Sequence, residues 1–311
     1  MRIFKNNEQM RRICNLIVAL LSVLSIFTIS VIFSTVNGEN VSANVTYNSA
    51  VEDAKKYNSL LPNNSGNVNE ESKYSSGLEA ALDAWNNYNN ATSFSITGFN
   101  NSTARPSIIG VGEYLIYASI RSAKWDDGGM FHEVHKYQKQ GSTTFANMNE
   151  GSQGYSIDNK RYNRETKEGI SLNGDYVNAS YSTSFELEEE FNAVTPICYT
   201  IDETTINSCT NFSVLRIGGQ IKYYNVELKM NPTASVKGYD EVIMKSGELD
   251  ELPRFTSVEF KMTIDRDGNL VTFRVIENYV LKKIIEIPTV NDITFNIYGY
   301  GETPALPKPI V

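Results

Sequence analysis

Histidine and cysteine are the scarce residues of this 311-residue chain, which holds two of the first and three of the second. So few groups that titrate near neutrality suit a binding protein better than an acid–base enzyme. The apparatus of the common enzyme classes is missing too. No Gly-x-Ser-x-Gly elbow, Walker loop, glycine-rich dinucleotide turn or Cys-x-x-Cys pair occurs. No catalytic residue, metal site or cofactor is expected. Basic charge is also short: of 28 basic and 36 acidic residues, Arg2, Lys5, Arg11, Arg12, Glu8 and Glu39 lie in the first 43, leaving 24 basic and 34 acidic beyond. A surface of that sign repels phosphate backbones, so no nucleic-acid partner is expected.

Charge is absent altogether from Ile13 to Val36, ICNLIVALLSVLSIFTISVIFSTV. As a helix this run is long enough to cross a hydrocarbon core of about 30 Å. The basic residues near it all precede it, with none between Cys14 and Lys55. The bias of positive charge toward the cytoplasm therefore puts the N-terminus inside and everything after residue 36 outside. Residues 1–43 are expected to be a signal peptide or a membrane anchor. The run exceeds the usual signal-peptide core, yet Val41-Ser42-Ala43 offers a small-residue cleavage site, so both fates stay open. Cys14 begins the run rather than following it, which excludes a lipobox.

Residues 44–75 are rich in Asn, Ser and Glu and read as a flexible polar tether. A folded domain is expected over 76–301, followed by a proline-containing tail, 302–311. Ser76-Gly77-Leu78-Glu79 has the form of a capping box and predicts a helix through about Tyr88, with Leu78, Ala81, Leu82, Trp85 and Tyr88 on its packing face. After Asn90 the period falls to two. Phe94 and Ile96; Tyr114, Ile116, Ala118 and Ile120; Tyr224, Val226, Leu228 and Met230; and Val258, Phe260, Met262 and Ile264 alternate with polar neighbours, as half-buried strands do. Asp265-Arg266-Asp267-Gly268-Asn269 supplies a hairpin turn, after which Val271, Phe273 and Val275 resume the alternation. A last strand runs near Ile293, Phe295 and Ile297. Clean alternation with short turns predicts antiparallel pairing. Thr233 is placed to cap a second helix with Val236, Tyr239 and Ile243 on one face, weakened by Gly238 by about 1 kcal/mol. In the acidic stretch around Leu187 and Phe191 strand and helix compete, and helix is preferred.

His132-Glu133-Val134-His135 has two histidines near a carboxylate, but their spacing of three in a strand sends them to opposite faces. Trp125-Asp126-Asp127-Gly128-Gly129 fits a hairpin tip better than a calcium loop. Cys198 and Cys209 are a candidate disulfide, which in an oxidising compartment would be worth about 3 kcal/mol. The alternative is two reduced, buried thiols.

The order of elements (exported leader, tether, amphipathic helix, antiparallel strands, internal helix after Asn231-Pro232, long closing strands) resembles the LolA- and LppX-type bacterial envelope proteins. The stretch from Asn231 to Ile284, NPTASVKGYDEVIMKSGELDELPRFTSVEFKMTIDRDGNLVTFRVIENYVLKKI, is similar to the C-terminal half of LolA-like, Gram-positive exported proteins. The resemblance implies a mainly β, α+β fold. In it a strongly curved antiparallel sheet, an incomplete barrel, wraps a few helices and holds lipid or another hydrophobic ligand in the cell envelope. It transfers no ligand-binding residue. A membrane-tethered sensor or surface protein-interaction domain is the alternative, and a hydrolase built on Asp126 and Asp127 a third reading.

Overall fold

The computed structural model describes residues 70–106, 113–138, 150–158, 160–165, 171–173, 176–178, 184–187, 197–246, 249–282 and 285–311. The hydrophobic leader and most of the tether lie outside the described residues. No described helix is long and apolar enough to cross a membrane.

Eleven strands form one antiparallel sheet: β1 (Phe94–Ala104), β2 (Tyr114–Lys124), β3 (Met130–Gln138), β4 (Glu150–Ile157), β5 (Lys160–Glu165), β8 (Glu186–Leu187), β9 (Ile206–Ile217), β10 (Gln220–Met230), β11 (Arg254–Asp265), β12 (Leu270–Lys282) and β13 (Glu286–Tyr298). β6 (Ser171–Asn173) and β7 (Tyr176–Asn178) pair separately. The order β8-β5-β4-β3-β2-β1-β13-β12-β11-β10-β9 is two meanders joined where the last strand lies beside the first. Ser95 faces Tyr298 and Ala104 faces Thr289 across that seam. β8 and β9 remain edges, so the sheet is not closed into a barrel.

Hairpins fall where the sequence permits left-handed backbone. Gly218 and Gly219 turn β9 into β10 with φ of 59° and 83°, and Gly268 turns β11 into β12 with φ of 96°. At the second hairpin the ladder shifts register between Thr263 and Ile264. This irregularity reverses the expected alternation locally: Leu270 is fully buried and Val271 only half-buried, while Phe273 and Val275 point inward as predicted.

Helix α1 (Gly77–Asn90) is capped by Ser76, whose Oγ accepts from the Glu79 amide at 3.2 Å. The return half of the box is displaced by one residue, since the Glu79 carboxylate accepts from both the amide and the hydroxyl of Ser75. The packing face is rotated from the predicted one. Leu78 is 37% exposed, whereas Ala80, Ala81 and Ala84 are fully buried beside Trp85 and Tyr88. Close approach to the sheet is the reason: a Cβ on Gly77 would lie 2.5 Å from Cys209 Sγ and 3.0 Å from Phe212 Cβ. At the start of the helix only a small side chain fits against the strands, and Leu78 is turned away.

The second helix, α2, spans Tyr239–Ser246 and begins five residues later than a cap at Thr233 predicts. Gly238 has φ of 90°, which no helix residue adopts. The turns before it are capped by Asn231 Oδ1, which accepts from the amides of Thr233 and Ala234. Val236, Tyr239 and Ile243 are nonetheless all buried, as their spacing implies. The helix preferred around Leu187 is not found at Glu186–Leu187, which pairs with Asn163 and Tyr162 as edge strand β8; Phe191 lies outside the described residues.

One core occupies the inner face of the sheet, built from α1, α2, the segment Ile197–Ile201 and the inward residues of β1, β2 and β10–β13. A smaller cluster on the outer face joins Ala123, Trp125, Phe131 and Tyr155, with Leu306 of the tail packed on it. The tail is thus part of the fold, and Lys308 pairs with Asp127 at the β2–β3 hairpin. The Ile197–Ile201 segment lies on the inner face, where Tyr199 bonds Glu277 on β12 and packs against Phe260 on β11.

Candidate functional site: polar groups on the inner face

Register fixes which side chains face inward. Paired residues share a face, so the row Glu277–Asn291–Ser102 crosses β12, β13 and β1 on the same side as Phe273 and Phe295. Glu277 is fully buried. Its carboxylate accepts from Tyr199 Oη at 2.9 Å, from Asn291 Nδ2 at 2.8 Å and from Tyr239 Oη at 3.3 Å. Asn291 Nδ2 also donates to Tyr279 Oη, and Asn291 Oδ1 accepts from Ser102 Oγ at 2.6 Å. Asn100 Nδ2 donates to Ser102 Oγ, while Asn100 Oδ1 is buried without a hydrogen-bond partner.

Burial pushes the Glu277 carboxyl up to about 7, against the opposing pull of its hydrogen bonds from Asn291, Tyr199 and Tyr239. Tyr199 and Tyr239, wrapped in apolar surroundings and facing the same carboxylate, are held well above the usual phenol range. The chemical consequence is a latch. One carboxyl on the sheet binds one phenol from the Ile197–Ile201 segment and one from α2, fastening both elements over the inner face. Aromatic packing reinforces it, with Tyr199 against Tyr239 at 5.3 Å and against Phe260 at 5.2 Å between ring centroids.

The residues singled out in the sequence do not converge. His132 faces inward in the row Ile96–Ser122–His132–Gly154, and His135 faces outward. Among the described residues no group of three metal-ligating side chains forms. On the outer face Glu133, nearly fully buried, accepts from Arg121 Nε at 2.9 Å and from Gln153 Nε2 at 2.6 Å. Gln153 accepts in turn from Arg164 Nε, so a polar ladder runs across β2 to β5. Asp126 and Asp127 occupy the β2–β3 turn, closed by the Gly128 amide on Trp125 O and by Gly128 at φ of 83°. Cys198 and Cys209 are not joined in a disulfide. Cys198 is half-buried beside the core, its thiol pushed up to about 11 by burial, and Cys209 is exposed on β9.

Glu277 and Asn291 escaped the sequence reading. Their signal was a polar residue in the apolar phase of a strand, as in Phe273-x-Val275-x-Glu277-x-Tyr279-x-Leu281. Tyr199 had no such signal, because no periodicity marks the segment that carries it.

The fold defines a class: an open, curled antiparallel sheet with short helical elements fastened inside it. No family model matches the chain, and no curated protein matches it. Among solved structures, an outer membrane lipoprotein-sorting protein domain from Vibrio parahaemolyticus is similar with a TM-score of 0.24 and 10% identity, over 74% of this chain and 94% of that one. A likeness at that score carries no weight for family or ligand.

Proposed function

We propose that this is a non-catalytic extracytoplasmic protein of the cell envelope that holds a lipid or other hydrophobic molecule against the inner face of its open sheet. The observation that carries the reading is the curled, unclosed sheet. Its inner face is apolar across β1, β2 and β10–β13, its edges β8 and β9 are unpaired with each other, and short elements, rather than further strands, cover it. An apolar concave surface with a few convergent polar groups is the usual form of a small-molecule site. The uncharged run before residue 37 supplies the export signal or anchor for this reading. The acids at Asp126 and Asp127 support a non-catalytic role, since they sit at a hairpin tip and Asp127 is engaged by Lys308.

Organic extraction and mass spectrometry of the full chain purified from its native membrane or medium are expected to release a lipid. The protein is also expected to take up a fluorescent fatty acid. An empty protein that takes up neither fatty acid nor phospholipid overturns the proposal.

A further inference from the structure

We infer that residues 197–205 and 231–246, the latter ending in α2, form one flap over the inner face, latched to β12 by Glu277, and that the flap lifts when Glu277 loses its proton. The inference rests on the function proposed above, because lifting the flap uncovers the apolar face that holds the ligand.

The flap is one body made of two stretches of chain. Thr200 donates its amide to Ser235 O at 2.9 Å, and Tyr199 packs edge-on against Tyr239 with 5.3 Å between ring centroids. Both stretches leave the sheet at the same place. Ile206 and Met230 are the last pair of the β9–β10 ladder, and just beyond them Asn231 donates its amide to Thr205 O at 2.7 Å. β9 is an edge, so a hinge at this pair leaves the ladders of β11, β12 and β13 intact.

From that edge the flap reaches across β11 to β12. Tyr199 packs on Phe260 at 5.2 Å and on Phe273 at 6.3 Å, and Tyr239 on Phe255 at 6.1 Å. The Glu277 carboxylate gives a polar hold, with one oxygen accepting from Tyr199 and the other from Tyr239.

The groups around that carboxyl are neutral. The titratable ones are the phenols of Tyr199, Tyr239 and Tyr279, with the Cys198 thiol next to Tyr199 in the chain, and burial holds all four above their ordinary values. β13 contributes Asn291 and β11 contributes Val258, both uncharged. Glu259, Arg274 and Asp292 belong to the outer face, where Arg274 pairs with Asp292. On the flap, Asp202 is taken up by the amides of Thr204 and Thr205, and Asp240 by those of Gly238 and Glu241.

Loss of the proton therefore leaves a charge in the core with three hydrogen bonds and, among the described residues, no counter-ion. Burial outweighs those bonds and holds the carboxyl up to about 7, against an ordinary value of 4.5. Lifting the flap hydrates the charge. The closed state keeps its full advantage below about pH 4.5 and loses it as the pH rises through 7, so opening grows on the order of fifty-fold from pH 5 to pH 8.

Cys198 rides on the flap, and its labelling reads the opening. In the full-length protein with Cys14→Ser and Cys209→Ser, the rate with a dithiodipyridine is divided by the rate for the urea-denatured chain at the same pH, which cancels the titration of the thiol. The ratio is expected to rise on the order of fifty-fold from pH 5 to pH 8 and to stay level in Glu277→Gln. Tyr199→Phe removes one bond of the latch and should raise the ratio at pH 5 about fivefold while keeping the pH response. Amide exchange in β11 and β12 of the same samples reports opening of the sheet and should show a smaller opening at every pH. Equal opening at Cys198 and at those amides means global unfolding and overturns the inference, as does a wild-type ratio that ignores pH. Should Glu277→Gln fail to fold, those two wild-type measurements still decide. Uptake of a pyrene-labelled fatty alcohol, which has no titrating group, is expected to quicken in step with the ratio. Uptake at a rate independent of pH overturns the gate and leaves the proposed function standing. No uptake at any pH, with Cys198 responding as expected, overturns the proposed function and leaves the flap.

Discussion

Tyr199 Oη donates to Glu277 Oε2 at 2.9 Å, tying a segment with no regular structure to the middle of β12 across 78 residues of chain. The bond lies in the core, where a carboxyl is rarely tolerated unless its oxygens are satisfied. Here two phenols and an amide satisfy them.

Stability should fall as this carboxyl ionises. It titrates near 7 in the folded protein and near 4.5 in the unfolded chain, so the folded state binds the proton more tightly. The contribution is complete below about pH 4.5, declines between 4.5 and 7, and is lost above that window. A shift of that size corresponds to about 3 kcal/mol. Urea midpoints at pH 5 and pH 8 are expected to differ more in the wild type than in Glu277→Gln. Equal differences would show that another group sets the pH dependence.

Gly77 should not tolerate a side chain. An added Cβ meets Cys209 Sγ at 2.5 Å and Phe212 Cβ at 3.0 Å. Gly77→Ala is expected to cost about 1–3 kcal/mol by overpacking. The sulfur is the movable partner, so Gly77→Ala combined with Cys209→Ala should cost less than the sum of the two single changes. Denaturant unfolding of the four proteins in that cycle measures the coupling.

Thiol labelling should separate the two cysteines outside the leader. In a Cys14→Ser background, Cys209 is expected to react readily without prior reduction, because it is exposed on β9. Cys198 should react far more slowly, its thiol held up at about 11 by burial. Protection of both thiols until a reductant is added would instead establish the Cys198–Cys209 bridge.

Removing residues 305–311 should open the outer cluster. Leu306 packs on Trp125, Phe131 and Tyr155, and Lys308 pairs with Asp127. The truncated protein is expected to lose about 1 kcal/mol of stability. Acrylamide should quench one of its two tryptophans more strongly, as Trp125 becomes accessible and Trp85 stays under α1. Unchanged quenching would mean that the tail rests on the cluster without covering it.

Strand positions were legible in the sequence because half-buried antiparallel strands write their burial into a period of two. Val258, Phe260, Met262 and Ile264 are all fully or almost fully buried, as read. Where two segments of the chain meet at one point, the period failed. The β11–β12 register shift substitutes Leu270 for Val271, and the close contact at Gly77 rotates α1 so that alanines replace Leu78 and Leu82 at the interface. Gly238 was counted as a weak helix residue, although its backbone conformation ends any helix there.

The sequence alone determined β1, β2 and β10–β13, their antiparallel pairing, the turns at Trp125–Gly129 and Asp265–Asn269 and the opposite facing of His132 and His135, because these follow from local periodicity and turn chemistry. Tertiary structure decided the rest. Placing β13 beside β1 brings Asn291 between Glu277 and Ser102, and laying the Ile197–Ile201 segment over the inner face brings Tyr199 to Glu277. Those contacts join residues far apart in the chain, and their energy depends on burial and on distances across the sheet, which no local pattern encodes.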